Sequence, residues 1–457
     1  MATATLQPLK RYVREHPYWS VVLTSLMVGA VIPIVVMAFL LKRYSVNVPF
    51  WDQWEYVPLI YAAHHGTLTL HDLWMQHNEH RILFPRVVTI IASFITGYNI
   101  RYEILLNLVT AVLSYSVLLA MLRRVFGLTK KFFFLAPVFA WIVFSPLQWI
   151  NWIWGFQLAF FMCVLFMALT IHLISKTESK HYDVLFYVSL VTGTVATYSL
   201  GNGMLAWPIG LAMLLLQRAN KQKLIVWASV AVVICGSYLY HFHREPGSLP
   251  LLTVIKEPLM VSRYALGYLG RNLALTGPGA RLTGFVLLVI VASSSLIVYR
   301  KGQILKILPW LGFIMFVVGT SLLAAADRLN FGLQQSLVDS YTTISLLFIL
   351  GVLVITVYAV TLLLQKTPPK RLLPWFFAGF FVAGLMSYAL ISSFQGNYLS
   401  GVHQLEDQGR DMAKVQRCVY SAASATDDCL LYAYPDKQFA WHGIQLLKEL
   451  KWGEFKQ

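Results

Sequence analysis

The chain has 457 residues, of which 58% are hydrophobic and only 12% charged, with 36 Lys and Arg against 20 Asp and Glu for a formal net charge of +16. A mean hydropathy of +0.63 excludes an ordinary soluble globular domain, and apolar runs that are continuous instead of alternating exclude a transmembrane β-barrel. The positive charge does not point to nucleic acid, because Lys and Arg cluster in short loops between apolar runs, as the positive-inside rule expects.

Those runs recur from end to end, and each is long enough to cross a hydrocarbon core of about 30 Å. The expectation is an all-α polytopic membrane protein with about 11–12 transmembrane helices. Residues 1–18 read as a basic cytoplasmic N-terminus, and residues 19–394 as the transmembrane domain. The apolar stretch Trp19–Leu41 is too long for the h-region of a cleaved signal, so it reads as a retained first helix. The cluster Lys10, Arg11 and Arg14 places its start in the cytoplasm, although Lys42 and Arg43 at its far end pull the other way. Residues 44–85 then form a large first outer loop, in which PFWDQWEYVPLIYAAHH reads as an interfacial helix. Leu68–Met75 reads as a second short helix. Leu83–Gly97 and Glu103–Leu122 follow and lead into the basic loop RRVFGLTKK. Two full crossings from an outer loop would leave that basic loop outside, so hydropathy and charge disagree there.

Beyond this point the basic loops alternate regularly. Helices are expected over Phe132–Ser145, Leu158–Ile174, Val184–Leu200, Met204–Leu216, Leu224–His241, Leu282–Tyr299, Ile307–Ala326, Thr342–Leu364 and Leu373–Phe394, with a long outer loop from Phe242 to about Arg281. Residues 395–457 form a small polar periplasmic segment ending in a turn and an amphipathic helix, suited to packing or to guiding an acceptor. Cys163 and Cys235 sit in apolar runs as packing residues. Cys418 and Cys429 form either one disulfide in an oxidising compartment or two free thiols.

Chemistry concentrates in the first loop, which holds Asp52, Glu55, Asp72 and Glu79, the histidines His64, His65, His71, His77 and His80, and Arg81 and Arg86. Asp52 in FWDQWE is suited to general-base work on a hydroxyl, or alternatively to capping an interfacial helix. His77, Glu79 and His80 in HNEHR lack the i, i+4 spacing of a helical zinc site and also read as a hydrogen-bonded rim. Arg81 and Arg86 stand where the loop re-enters the membrane, placed either to grip a phosphate or to anchor at headgroups. Three later outward features add Asn202 within GNG, then Arg271, Asn272 and Arg281, then Asp327, Arg328 and Asp339. Ionisable residues near membrane depth are costly and are candidates for function by default.

A cytoplasmic N-terminus, one helix and a large outer first loop with an early acid resemble the GT-C glycosyltransferases, with FWDQWE, HNEHRILFPR, WGFQ and GNG as the residues that carry the likeness. The resemblance implies a GT-C-like helical bundle in the bacterial inner membrane whose active site faces the periplasm. It implies transfer of a sugar from a polyprenyl-phosphate-linked donor to a glycan, lipid or protein acceptor, with inversion. Asp52 matches the first-loop catalytic acid by position. Many members carry two adjacent acids there, whereas this chain has Asp52-Gln53 with Glu55 beyond, which favours a transferase needing no metal or other cofactor. Asp52 and Glu79 are therefore the expected catalytic residues, and Glu55, His80, Arg81, Arg86, Asn202, Arg271 and Arg328 the expected substrate contacts. Trp51, Trp54 and Trp149 are candidates for stacking on sugar faces. The expected partners are the donor lipid, the acceptor and membrane lipids. A flippase for lipid-linked sugars, or an O-antigen polymerase or ligase, is the competing reading.

Overall fold

The computed structural model describes residues 17–177, 183–244, 256–274, 276–365 and 396–455. The N-terminal basic cluster and the expected helix Leu373–Phe394 lie outside them. Among the described residues every regular element is a helix, apart from one antiparallel bridge between His77 and His80.

Helix α1 (Pro17–Tyr44) leads into the first loop, which contains a 3-10 turn at Trp51–Glu55 and the short helices α2 (Tyr56–His64) and α3 (Leu70–Trp74). Thr69 caps α3, its hydroxyl accepting from the Asp72 N–H while Asp72 accepts from Thr69 in return. Then come α4 (Leu83–Thr96), α5 (Ile100–Phe126), α6 (Lys130–Val143), the one-turn α7 (Trp149–Ile153) and α8 (Leu158–Ile174). The chain continues through α9 (Val184–Thr197), α10 (Ala206–Leu216), α11 (Lys221–Leu239), α12 (Pro258–Gly270), α13 (Gly277–Arg300), α14 (Leu308–Arg328) and α15 (Thr342–Leu364). Residues 396–421 form α16, and Lys437–Leu450 form α17. Eight helices among the described residues are long and apolar enough to cross a membrane, so the protein is a multi-pass membrane protein.

Helix α8 is the hub. Its membrane-length window is 78% buried against 17% for that of α1, and it packs on α5, α9, α10 and α14. Helix α1 lies at the periphery against α6 and α5, and its outward Val31, Val35 and Phe39 stay exposed, as lipid-facing residues do. On the far side α12, α13, α14 and α15 form a second packed group.

The structure removes the conflict between hydropathy and charge. Helix α4 has 14 residues, about 21 Å at 1.5 Å per residue, too short to cross a core of about 30 Å unaided. Its end is turned by Gly97 in the left-handed region. With α4 counted out, the 27-residue α5 is the crossing that leads to the basic loop, and the charge rule and the helix lengths agree. Two helices were not expected: α12 lies inside the expected outer loop 242–281, where Arg263, Gly267 and Gly270 interrupt its apolar pattern, and α16 (residues 396–421) lies in the segment expected to hold only a terminal turn and helix.

Candidate active site

Asp52 owes its direction to an unusual piece of backbone. Phe50 is extended, Trp51 has φ 48°, and the 3-10 turn Trp51–Glu55 starts there. A left-handed conformation at a bulky non-glycine residue costs about 1–2 kcal/mol, so surrounding contacts must hold it. Gln53 supplies several of them. Its side chain accepts from the Phe50 N–H (3.3 Å) and donates to Glu103 (2.7 Å), and its carbonyl accepts from the Tyr98 hydroxyl (2.8 Å). Asp52 is therefore no helix cap; Phe50 holds the cap position.

The HNEH segment is a tight turn. His77 and His80 exchange backbone hydrogen bonds of 2.7 and 2.8 Å, and Asn78 takes the left-handed conformation at φ 46° that Asn tolerates. This turn places the His77 ring between two carboxylates. Its Nδ1 lies 2.8 Å from Glu55 Oε2 and its Nε2 lies 3.6 Å from Asp52 Oδ2. Burial opposes protonation of His77, but the hydrogen bonds and charges of Asp52 and Glu55 outweigh it and lift its pKa to about 9. Glu55 is lowered in turn: burial raises it, and the hydrogen bond and charge of His77 win. His80 moves the opposite way, to about 3, because burial and the positive charges of His77 and Arg328 disfavour its imidazolium. It is the neutral member of the pair, and its Nδ1 is buried with no hydrogen-bond partner among the described residues. A β-carbon at Gly201 would sit 2.9 Å from that Nδ1, so the GNG turn needs glycine there to let the His80 ring approach.

Glu79, the other acid of the turn, is buried and pairs across the molecule with Arg328 at the end of α14, Oε2 to Nη2 2.7 Å. Beside it Asp327 pairs with Arg244 at 3.1 Å. These side chains surround one cavity of about 240 Å³ lined by Asp52, His77, Glu79, His80, Asn202, Asp327 and Arg328, with aromatic walls from Trp154, Phe156, Phe160, Tyr268 and Tyr341. Acids, a cationic His and an Arg on an aromatic floor can hold a sugar ring, an anionic group and a proton acceptor together. Asp52, Glu55 and His77 also bring one ligand atom each to within 4.8 Å of one another, a nitrogen-and-oxygen donor set that fits a divalent cation.

Other expected contacts are placed elsewhere. Arg81 lies buried, donating to the carbonyls of Tyr238 (2.7 Å), Trp74 (2.9 Å) and Tyr240 (2.5 Å) and stacking on the Trp74 ring. Arg86 donates to the carbonyls of Leu73 (3.0 Å) and Met75. Both arginines pin loop backbone inside the protein, because a buried guanidinium is best satisfied by several carbonyls at once. Neither lines the cavity. Glu55 stands one step behind it, through His77.

Arg271 lines a different cavity of about 250 Å³, with Trp149, Asn272, Thr276, Asp339, Thr342 and Asn397. Its guanidinium donates to Thr342, to the Leu337 carbonyl (2.8 Å) and to Asp339 (2.9 Å). Of the tryptophans named from sequence, Trp54 is fully buried, Trp51 is exposed outside the cavity lining, and Trp149 donates to Asp339 at 2.9 Å. Trp154 is the one that lines the first cavity.

What the sequence did not show of His77, a candidate metal ligand or rim residue there, is its place between Asp52 and Glu55. The available signal was the spacing of Asp52 and Glu55: acids three apart share one face of a helical turn and call for a cation between them.

No protein-family model and no curated protein matches the chain. Among solved structures, it resembles the archaeal oligosaccharyltransferase AglB from Archaeoglobus fulgidus in complex with an inhibitory peptide and a dolichol-phosphate, with TM-score 0.50 and 14% identity over 92% of this chain and 59% of that one. A second structure of the Archaeoglobus fulgidus oligosaccharyltransferase, tethered to an acceptor peptide, gives TM-score 0.45 at 14% identity, covering 89% and 59%. ArnT from Cupriavidus metallidurans bound to undecaprenyl phosphate gives 0.42 at 13%, covering 95% and 77%. At these identities the likeness is one of fold. The chain shares an all-helical, multi-pass fold with the first of these structures, and it spans about 59% of the length of the archaeal oligosaccharyltransferases it matches.

Proposed function

We propose that the protein is an integral-membrane glycosyltransferase of GT-C type that moves a hexose or pentose from a polyprenyl-phosphate-linked donor to a glycan, lipid or protein acceptor. The observation that carries the reading is the meeting of Asp52, Glu79 and Arg328, from distant parts of the chain, in one aromatic-walled cavity. The dolichol-phosphate held by the structural relative of highest TM-score reported above supports a lipid phosphate as donor anchor.

In this reading Arg328 binds the donor phosphate. The acceptor hydroxyl oxygen attacks the anomeric carbon, with inversion. The bond from that carbon to the phosphate oxygen breaks, and the polyprenyl phosphate leaves with the electron pair. Asp52 takes the acceptor proton as the new bond forms, and Arg328 stabilises the charge growing on the leaving phosphate. Glu79 fixes the Arg328 guanidinium, Asn202 hydrogen-bonds the sugar, and His80 remains neutral beside them. His77 and Glu55 orient Asp52. No cofactor is part of the proposal; a divalent cation held by Asp52, Glu55 and His77 would supply further charge stabilisation at that spot.

Loops 44–85, 198–205 and 329–341, at one end of the bundle, contribute to the cavity lining. The charge rule assigns that end to the outside, and the disulfide between Cys418 and Cys429 suits an oxidising compartment. The site is therefore proposed to face the periplasm of a bacterial inner membrane.

The test is sugar transfer by purified full-length protein from a panel of undecaprenyl-phosphate-linked hexoses and pentoses. Release of undecaprenyl phosphate by the wild type, lost in Asp52→Asn with donor binding kept, supports the reading. Movement of the sugar-lipid across a vesicle membrane with no product would replace it with the flippase reading.

A further inference from the structure

The turn that aims Asp52 does not hold itself. The N–H of left-handed Trp51 donates to the carbonyl of Ala433 at 3.0 Å, and Ala433 belongs to the C-terminal segment. The next residue, Tyr434, donates its hydroxyl to Glu55 Oε1 at 3.3 Å, and its ring packs on Phe439. Both ends of the Trp51–Glu55 turn are thus tied to two consecutive C-terminal residues.

Behind them, α17 packs on α2. A β-carbon at Gly443 would lie 2.8 Å from Trp54 Cε3, so glycine is what lets this helix close onto the buried indole of the same turn. Outer ties run from Tyr61 to Glu449 (2.6 Å) and from Asn47 to Glu454 (2.9 Å). The segment is anchored in its turn by the bond between Cys418, in α16, and Cys429, just before Ala433. No residue beyond 341 lines the first cavity among the described residues, so this segment reaches the site only through the turn.

We propose that residues 429–450 form a clamp that holds the Trp51–Glu55 turn in the shape presenting Asp52 to the cavity, with Tyr434 as a positioning residue and the Cys418–Cys429 bond as its thiol-sensitive lock. The proposal rests on the reading of Asp52 as the base only for its effect on rate; the clamp itself is a structural claim.

The experiment is hydrogen–deuterium exchange on the full chain in detergent, following the peptide that spans residues 50–56. The wild type is compared with and without a thiol reductant, beside Tyr434→Phe and the pair Cys418→Ser with Cys429→Ser. Opening the lock is expected to speed exchange at the Trp51 amide by about tenfold, while peptides from α8 stay unchanged. Tyr434→Phe, which removes one oxygen and keeps the ring, is expected to give a smaller rise of about threefold. It also guards against a cysteine variant that fails to fold.

In transfer from the undecaprenyl-phosphate-linked panel, Tyr434→Phe lowers kcat and leaves donor KM within about twofold. Identical exchange of 50–56 in oxidised and reduced protein overturns the clamp. A raised KM with unchanged kcat overturns the positioning role. Altered exchange together with a wild type that transfers no sugar leaves the clamp standing and removes the glycosyltransferase reading instead.

Discussion

Two cavities share one wall; each pairs an arginine with an acid, and they differ in how many further charged groups line them. In the segment 337–342, Val338, Ser340 and Tyr341 line the first cavity, while Leu337, Asp339 and Thr342 line the second. The first holds Asp52, Glu79, Asp327, His77 and Arg328, drawn from the first loop and the end of α14 and turned toward open space. In the second, Arg271 and Asp339 neutralise each other, and Trp149 holds the other Asp339 oxygen. The lesson is that an arginine near a membrane surface becomes a candidate ligand contact only when its donors are not already taken up by several groups of the protein itself. Arg81 and Arg86 teach the same, since their donors go to carbonyls.

The sharpest way to break this contrast is Asp52→Asn, which should lower transfer roughly a hundred- to ten-thousand-fold, the usual span for a general base. Thermal stability should change little, because Asp52 is partly exposed and its contact with His77 is 3.6 Å. Arg328→Gln follows, with a loss of about a hundredfold in transfer. It also removes the ion pair to Glu79 and should weaken retention of undecaprenyl phosphate, measured by native mass spectrometry.

Arg271→Gln is the counterpart. It should cost about 1–3 kcal/mol of stability by leaving the Leu337 carbonyl unsatisfied, with transfer per folded molecule close to wild type. If Arg271→Gln loses transfer as completely as Arg328→Gln at unchanged stability, the division between the cavities is wrong.

A pH effect is smaller. The folded pKa of His77 is raised from 6.5 to about 9, so its contribution to stability is complete below the unfolded value and fades as pH rises through about 9. Melting temperature should therefore decline between pH 6.5 and 9, and His77→Gln should flatten that slope. Chelation is the smallest expected effect: EDTA dialysis should leave transfer within about twofold, and a loss restored by one divalent cation would assign the Asp52, Glu55 and His77 donor set to a metal.

Much of the architecture was readable from hydropathy, because a spanning helix must satisfy its own backbone and therefore announces itself as a long apolar run. Asp52, which lines the first cavity, stood out as an acid between tryptophans after the first span. The pairing of Glu79 with Arg328, 249 residues later, was not, since nothing local in either segment encodes the other. The same limit hid the difference between Arg271 and Arg328: both are outward arginines near glycines or acids, and only packing shows whose donors are occupied. Helix α12 was missed because its charge and small residues lack the apolar run of its neighbours.

By itself, then, the sequence determined a multi-pass helical protein and a first outer loop that gathers acids, histidines and arginines, because those depend on local pattern and on the cost of burying charge. The tertiary structure alone decided that His77 sits between Asp52 and Glu55, which arginine faces the cavity, and that the C-terminal segment grips the turn behind Asp52. Each of those depends on a contact between residues that the chain brings together only after its helices have packed.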